Sequence, residues 1–234
     1  MKNQYFGDIN DYKKYGLLRS IISSTKLQIL VTWMLTEDDG STDGKFIEYL
    51  NTPEKWKHFD QLLYEETVSF LESNEERSVS MIENTNLLYG SQYFSEFVPD
   101  HSEGRDNWFS NLLLQSKNVD LVFLDPDNGL EIKSKKYGTK NSSKFLYWHE
   151  VVSLWKSGKS LLMYQHFIRE NRETFTKRML KTLEENANGA IVESFSTSNV
   201  VFLLALQPNH HIFHQPIVNS VKKSWQGQIK CGSV

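Results

Sequence analysis

The sequence predicts an α/β fold in which helices cover both faces of a mostly parallel sheet that ends in an antiparallel hairpin. Short apolar runs bounded by turn residues alternate with longer stretches of helical periodicity, a pattern typical of strands buried on both faces. Near the end of the chain, residues 197–199 alone separate two strand-like runs, which leaves no room for the crossover that parallel strands need. We therefore expect a three-layer α/β/α sandwich over residues 1–234, built as a single domain.

The first half of the chain begins with an amphipathic helix from Asn10, a plausible N-cap, to Ser24. Residues 27–33 are rich in β-branched side chains and precede a turn-forming segment, which indicates a buried strand. Helical periodicity predicts a second helix over residues 54–74. Residues 77–83 alternate in polarity and predict a second strand.

The second half continues this alternation of strands and helices. Each predicted strand is a short apolar run, and each predicted helix repeats apolar residues at helical spacing. The helices are predicted over residues 105–116, 144–158 and 170–189, the last closed by Gly189, and the strands over residues 119–124, 160–167, 190–196 and 200–207.

Composition narrows the class of protein. The chain has 26 Lys and Arg against 29 Asp and Glu, a formal charge of -3, so its overall field neither favours nor opposes nucleic acid. A single cysteine, Cys231, excludes an intramolecular disulfide and a cysteine-based zinc site. His210, His211 and His214 follow the last strand and are expected at the surface. With no apolar stretch near the roughly 20 residues that span a bilayer, we expect a cytoplasmic protein without a membrane partner.

Three carboxylates follow the apolar run that ends at Leu124. Ligands of open α/β sheets bind beyond the carboxyl ends of the strands, so Asp125 is expected at the mouth of a site. With Asp127 and Glu131 it could bind Mg²⁺ or Mn²⁺, which would indicate a metal-dependent nuclease or phosphotransferase. Asp-Asn-Gly is also a strong turn former, so Asp127 and Asn128 could simply reverse the chain.

A short segment near the start of the chain resembles a known motif. "GDINDYKKY" matches the pattern Gly-Asn-x-x-Asp-x-x-Lys-His at Gly7, Asp11 and Lys14, with Asp8 in place of Asn and Tyr15 in place of His. That pattern opens the large-subunit ribosomal RNA adenine-N6 methyltransferase J family. The three-Cys-motif partner proteins, which share its fold, are similar.

The catalytic strand of that family ends in Asp-Pro-Pro-Tyr, and the matching strand here ends in Asp125, Pro126, Asp127 and Asn128. The resemblance implies a Rossmann-like, class I methyltransferase fold that binds S-adenosylmethionine and methylates an amino group of a base. It also implies that the Asp125 side chain and the backbone carbonyl after it orient the acceptor amine. Asn128 cannot stack on a base as the family's Tyr does. Either Tyr137, Tyr164 or Phe167 supplies the stacking ring, or the substrate is not a flipped adenine.

Further candidates flank this turn and the first predicted strand. His166 ends a neighbouring predicted strand and is either a catalytic residue or a hydrogen-bonded structural one. The loop after Trp33 has few glycines but several acids, which a cationic cofactor would tolerate and a pyrophosphate would not. A solvated turn is an equal alternative for these acids. By the resemblance, Gly7, Asp11, Lys14 and Tyr15 contribute to cofactor binding together with Trp33, Thr36 and Asp43.

Two basic segments are candidate contacts for nucleic acid. The loop over residues 133–140 is rich in Lys, and the helix over residues 169–178 carries basic side chains near its start. Acidic side chains lie between these basic ones. An equal alternative for the helix is therefore a solvent-exposed face on which the two kinds of charge form salt bridges. A catalytically degenerate methyltransferase fold that serves as a binding module is the remaining functional alternative.

Overall fold

A mostly parallel sheet runs through the computed structural model, which describes residues 1–38, 44, 46–73 and 76–233. Seven strands of these residues pair in the order β2-β1-β3-β6-β8-β7-β9, and β4 pairs with β5 beside them. The strands are β1 (Ile29–Thr32), β2 (Gln92–Phe94), β3 (Leu121–Leu124), β4 (Gly129–Leu130), β5 (Phe145–Leu146), β6 (Ser160–His166), β7 (Ile191–Ser196), β8 (Val200–Leu206) and β9 (Lys230–Gly232).

Helices lie between the strands, as the alternation predicts. Among the described residues, none of them is long and apolar enough to cross a lipid bilayer. The α-helices are α1 (Ile9–Ser24), α2 (Pro53–Trp56), α3 (Gln61–Glu72), α4 (Ser80–Glu83), α5 (Ser102–Gln115), α6 (Trp148–Lys156), α7 (Arg172–Asn186) and α8 (His214–Ser224), and short 3₁₀ helices occupy Asn3–Tyr5, Glu48–Asn51, Ser116–Asn118, Ser142–Lys144 and Pro208–Phe213.

Two hydrophobic clusters separate the sheet from its helical layers. Successive side chains of a strand point to opposite faces, so Val31 packs in one cluster and Leu30 in the other. The first cluster includes side chains of α1, α3 and α8, and the second includes side chains of α5, α6 and α7. The predicted three-layer, Rossmann-like α/β arrangement is confirmed.

The predicted hairpin is also confirmed, and it reverses one strand within the sheet. β8 lies between β6 and β7 and is antiparallel to both, with Leu204 opposite Leu162 and Glu193. β1, β2, β3 and β6 are parallel, and their carboxyl ends therefore meet at one edge of the sheet. The residues that follow β1, β3 and β6 lie at that edge.

Two predicted elements in the first half are wrong. Residues 77–83 contain the one-turn helix α4 instead of a strand, and β2 comes nine residues later. In the sequence Val79 and Met81 alternate with polar residues as in a strand, but in the structure one helical turn buries Val79 and Ile82, which are three residues apart. The single helix predicted over residues 54–74 is broken into α2 and α3, because Asp60 caps a new helix by accepting a hydrogen bond from the backbone N–H of Leu63 at 3.1 Å.

Two boundaries differ from the prediction for local reasons. Asp8, rather than Asn10, caps α1, since its Oδ1 accepts hydrogen bonds from the N–H groups of Asn10 and Asp11 at 2.8 and 2.9 Å. The helix predicted from residue 144 starts at Trp148, because Phe145–Leu146 instead pairs with Gly129–Leu130.

The end of the chain carries elements that were not predicted. α8 packs against α1, and β9 extends the sheet at β7. The expectation that all three histidines lie at the surface is wrong, because His210 is buried with its Nδ1 2.8 Å from Ser160 Oγ. His214 Nε2 lies 3.1 Å from Glu193 Oε2, so this ring ties α8 to the sheet.

Candidate functional site

The carboxyl ends of β3 and β6 meet α1 around a cavity of about 260 Å³, here called the acceptor cavity. The Asp-Pro turn after β3 forms one wall, and the start of α1 forms the opposite wall. Six residues predicted for the site share it, because the fold brings together segments more than a hundred residues apart. Its lining is Met1, Tyr5, Asp8, Asn10, Asp11, Lys14, Gly44, Phe46, Asp125, Pro126, Asp127, Asn128, Tyr164 and His166.

Lys14 bridges two carboxylates in this cavity. Its Nζ lies 2.7 Å from Asp11 Oδ1 and 2.7 Å from Asp125 Oδ2, and its side chain is only 2% exposed. The other oxygen of Asp11 accepts a hydrogen bond from the Tyr15 hydroxyl at 3.0 Å. The ammonium also lies 5.5 Å from the ring centroid of Trp33. Lys14 and Tyr15 therefore hold the site carboxylates in place.

Burial changes the charge behaviour of this cluster. Burial and, after it, the neighbouring Asp11 carboxylate raise the pKa of Asp8 from 3.8 to about 7. Burial also raises the pKa of Asp11, although Lys14 opposes that effect. Burial alone would lower the pKa of Lys14, but the two adjacent carboxylates raise it above its ordinary value. Lys14 therefore remains a cation at neutral pH.

Asp127 supplies a hydrogen-bonding oxygen to the acceptor cavity. Its Oδ2 lies 3.7 Å from Lys144 Nζ and 4.0 Å from Lys2 Nζ. Its Oδ1 is buried and accepts no hydrogen bond from the part of the chain that the structure describes. A buried carboxylate oxygen without a donor is costly, which makes it a candidate contact for a ligand N–H or O–H group.

The end of β6 completes the other wall. His166 Nε2 lies 3.0 Å from the Tyr164 hydroxyl, and burial lowers the pKa of His166 below its ordinary value. Gln165 accepts a hydrogen bond from the N–H of Leu130 at 2.7 Å and so fixes the turn after β3. Gly129 has a φ of +98° and packs against Gln165, where a Cβ atom would come within 2.6 Å of the Gln165 side chain.

A second cavity, of about 470 Å³, opens at the carboxyl ends of β1 and β2 and is here called the cofactor cavity, after the role that we propose for it below. Thr36, Glu37 and Asp38 line it from β1, and the chain after β2 lines it from Phe97 to Asp100. Lys144 also lines it and lies 3.7 Å from Asp127 of the acceptor cavity. The two cavities therefore adjoin at the Asp127 side chain.

Other predicted site residues lie outside both cavities. Gly7 has a φ of +81°, and its carbonyl accepts a hydrogen bond from the Tyr49 hydroxyl at 3.1 Å. Trp33 is buried behind Lys14 and donates its Nε1–H to Glu83 Oε1 at 2.7 Å. Asp43 lies outside the described residues.

The proposed metal ligands are not brought together as a set. Glu131 Oε1 accepts a hydrogen bond from the N–H of Trp148 at 2.8 Å at the start of α6. Among the described residues, no group of three or more His, Cys, Asp or Glu side chains is placed to hold a metal ion. The metal alternative thus gains no support from Asp125, Asp127 and Glu131.

Sequence reasoning missed four contributors to these cavities. Phe46 lines the acceptor cavity with 62% of its surface exposed, and Phe97 lines the cofactor cavity with 49% exposed. Asp8 and Lys144 add charge. Of these four, only Asp8 could have been assigned to the site from the sequence. Asp8, Asp11 and Lys14 follow one another at three-residue spacing and so share one side of a helix.

Comparisons with known proteins provide no family for this chain. No family model matches the sequence, and no curated protein matches it at a significant level. The structure is similar to the crystal structure of a Legionella pneumophila protein of the family DUF519, with 10% identity over 97% of this chain and 96% of that chain, and a TM-score of 0.47. A likeness at this level carries no argument about activity.

Proposed function

We propose that this protein is an S-adenosylmethionine-dependent methyltransferase that acts on an amino group of a base in nucleic acid. The observation that carries the proposal is that two cavities lie close together at the carboxyl edge of the sheet: Asp127 lines the first, and its Oδ2 lies 3.7 Å from Nζ of Lys144, which lines the second. One cavity would hold the cofactor and the other the acceptor base. Ligands of open α/β sheets bind at this edge.

The carboxylates of the cofactor cavity suit a cationic ligand. Glu37 and Asp38 are exposed carboxylates directly after β1 and can attract a sulfonium and an ammonium group. When bound, S-adenosylmethionine supplies an electrophilic methyl group. Phe97, half exposed at the wall, can stack on the adenine ring.

The acceptor cavity supplies hydrogen-bond acceptors for an amine. An exocyclic amino group is a weak nucleophile because its lone pair is delocalised into the ring, so its hydrogens must be held while the methyl group stands in line. Asp127 Oδ1 has no donor within the described residues, and the Asp125 carboxylate stands beside it, held by Lys14. These two carboxylates would orient the amine.

The base also needs a stacking partner. Asn128 cannot provide one. Phe46 is the most exposed ring in the acceptor cavity, whereas Tyr164 is largely buried with its hydroxyl against His166. Neither Tyr137 nor Phe167 lines this cavity. Phe46 is therefore the best candidate to stack on an extruded base.

Calorimetric titration with S-adenosylhomocysteine tests the cofactor half of the proposal. We expect binding, and a rise in melting temperature, because a ligand at about 100 times its Kd stabilises the folded state by about 2.7 kcal/mol. Glu37→Gln with Asp38→Asn should weaken binding, whereas Glu184→Gln on α7 is a matched control and should not. Absence of binding at millimolar ligand would contradict the proposal.

Transfer of a tritiated methyl group to total RNA or DNA tests the chemical half. We expect incorporation that is lost in Asp125→Ala and Asp127→Ala, which remove the acceptor oxygens, and retained in the Glu184→Gln control. Binding without transfer to any nucleic acid would instead support a degenerate site that serves as a binding module. The ion pair between Lys14 and Asp125 favours that second candidate, because it occupies one oxygen of Asp125.

A further inference from the structure

A third cavity of the described residues lies away from both parts of the proposed site. This groove, of about 670 Å³, runs between the first half of α7, the end of β7 and the edge strand β9. We call it the α7 groove. Its lining includes three cations, Arg172, Lys177 and Lys230, and only one carboxylate, that of Glu173. Its charge is therefore positive.

Two of the three cations of the groove remain available to a ligand. Lys177 pairs with Glu173 at 2.8 Å on the exposed side of the helix. Within the described ranges, neither Arg172 nor Lys230 forms an ion pair with a carboxylate, and the Arg172 guanidinium stacks 5.2 Å from the ring centroid of Phe167. A guanidinium held on an aromatic face keeps its N–H groups directed outward.

Hydroxyl groups line the floor of the groove. Ser194 and Thr197 are bonded within the protein, to the carbonyls of Gly232 and Val200 at 2.7 and 3.2 Å. Ser196 and Ser198 also line the groove. Arginine, lysine and hydroxyl side chains are the groups that most often contact phosphate oxygens in nucleic-acid complexes.

The groove and the acceptor cavity are neighbours along one edge of the sheet. His166 lines the acceptor cavity and the next residue, Phe167, lines the groove. The hairpin turn between them is tied to α1, since Asn199 Nδ2 donates to Asn10 Oδ1 at 3.4 Å. Because β8 alone separates β6 from β7, their ends are only about 10 Å apart. One flexible single strand of nucleic acid can therefore cover both openings.

We propose that the α7 groove binds the phosphate backbone of the nucleic-acid strand whose base enters the acceptor cavity, an inference that rests on the proposed function. The other basic surfaces fit this role less well. Arg178 pairs with Glu170 at 2.7 Å. In the basic loop, Lys135 donates to the carbonyl of Lys140 at 2.8 Å. The groove combines positive charge, hydroxyls and concave shape.

Fluorescence anisotropy of labelled single-stranded RNA and DNA tests the inference. The test variant is Arg172→Glu with Lys230→Glu. The matched control is Lys117→Glu with Lys156→Glu, which makes the same charge change with exposed residues near the opposite edge of the sheet. We expect the test variant to lose at least about tenfold in affinity and the control less than about twofold. In the test variant, the slope of log K against the logarithm of salt concentration should become shallower by roughly 1.4, because two contacts with single-strand phosphates are lost.

Three outcomes would overturn the inference: no binding of either nucleic acid to the unaltered protein, equal losses in both variants, or binding of poly-glutamate through the groove in place of nucleic acid. S-adenosylhomocysteine titration separates this failure from failure of the proposed function. If the test variant binds that ligand as the unaltered protein does, its fold and cofactor site are intact. If neither protein binds it, the cofactor proposal fails while the anisotropy result still decides the groove.

Discussion

Lys14 is the residue on which the charge balance of the site depends. Its ammonium lies between Asp11 and Asp125, all three side chains being nearly inaccessible. Lys14→Met leaves two buried carboxylates without their cation, so we expect the free energy of unfolding to fall by about 3 to 5 kcal/mol. Urea denaturation followed by circular dichroism measures this change.

Two comparisons make the Lys14 prediction specific. Asp125→Asn should cost less, because Lys14 keeps Asp11 as its partner. Lys177→Met, which removes an exposed pair on α7, should leave the urea midpoint almost unchanged. A Lys14→Met protein as stable as the Lys177→Met control would show that the ion pairs contribute nothing to stability.

Phe46 is the residue that carries base stacking in the proposed function. Phe46→Ala should weaken binding of a strand with an extruded adenine by about 1 to 3 kcal/mol, and Phe46→Trp should retain it. Tyr89→Ala removes an aromatic ring that is 76% exposed and outside the acceptor cavity, and it serves as the control. Fluorescence of an oligonucleotide containing 2-aminopurine reports stacking. Equal signals from the Phe46→Ala and control proteins would argue against this role.

At the scale of elements, α1 holds the site by packing against α8. Gly16 allows this approach, because a Cβ atom there would lie 1.8 Å from Cζ2 of the buried Trp225 ring. Gly16→Ala should therefore destabilise the protein by about 1 to 3 kcal/mol, even though alanine favours helix by about 1 kcal/mol.

Gly104→Ala in α5 is the matched helical control. A Cβ atom there would meet mainly the end of the His101 side chain, at 2.5 Å, and that side chain can move away. We expect the control to be neutral or stabilising in thermal denaturation. If Gly16→Ala is as stable as Gly104→Ala, the packing of α1 on Trp225 must be looser than the structure shows.

At the scale of the whole molecule, buried acids make folding stability depend on pH. Since the pKa of Asp8 rises from 3.8 to about 7 on folding, the folded protein binds more protons than the unfolded chain between these values. The contribution of Asp8 to stability therefore falls as pH rises through this window. Asp11 acts in the same direction. The lowered pKa of His166 acts in the opposite direction, because its contribution rises with pH near its ordinary value.

The variant Asp8→Asn isolates this effect. Asparagine caps a helix as well as aspartate does, but it carries no charge. We expect the variant to be more stable than the unaltered protein at pH 8 and about equally stable at pH 4, with the difference growing in between. Urea midpoints across that pH range measure it. A difference that does not change with pH would mean that Asp8 titrates near its ordinary pKa.

Local patterns in the sequence determined the strands that build the sheet. β1, β3, β6, β7 and β8 are apolar runs bounded by turn residues, and the short gap before Val200 required the antiparallel hairpin. The edge strands β2 and β9 are three residues each, too short for a periodic signal, and they form because neighbouring strands offer backbone partners. The site turn was predictable because it follows a buried strand.

Tertiary structure alone decided which charges meet. Asp125 and Lys14 are 111 residues apart, so no local pattern states that they pair, and the pairing arises because α1 covers the end of β3. The same holds for Phe46 and Lys144, which reach the cavities from separate loops. The sequence by itself determined where β1, β3, β6, β7 and β8 lie along the chain and which acids follow β3, since these depend on residues near in the chain. Burial, ion pairing and the two adjoining cavities depend on residues distant in the chain, which only the folded packing brings within contact.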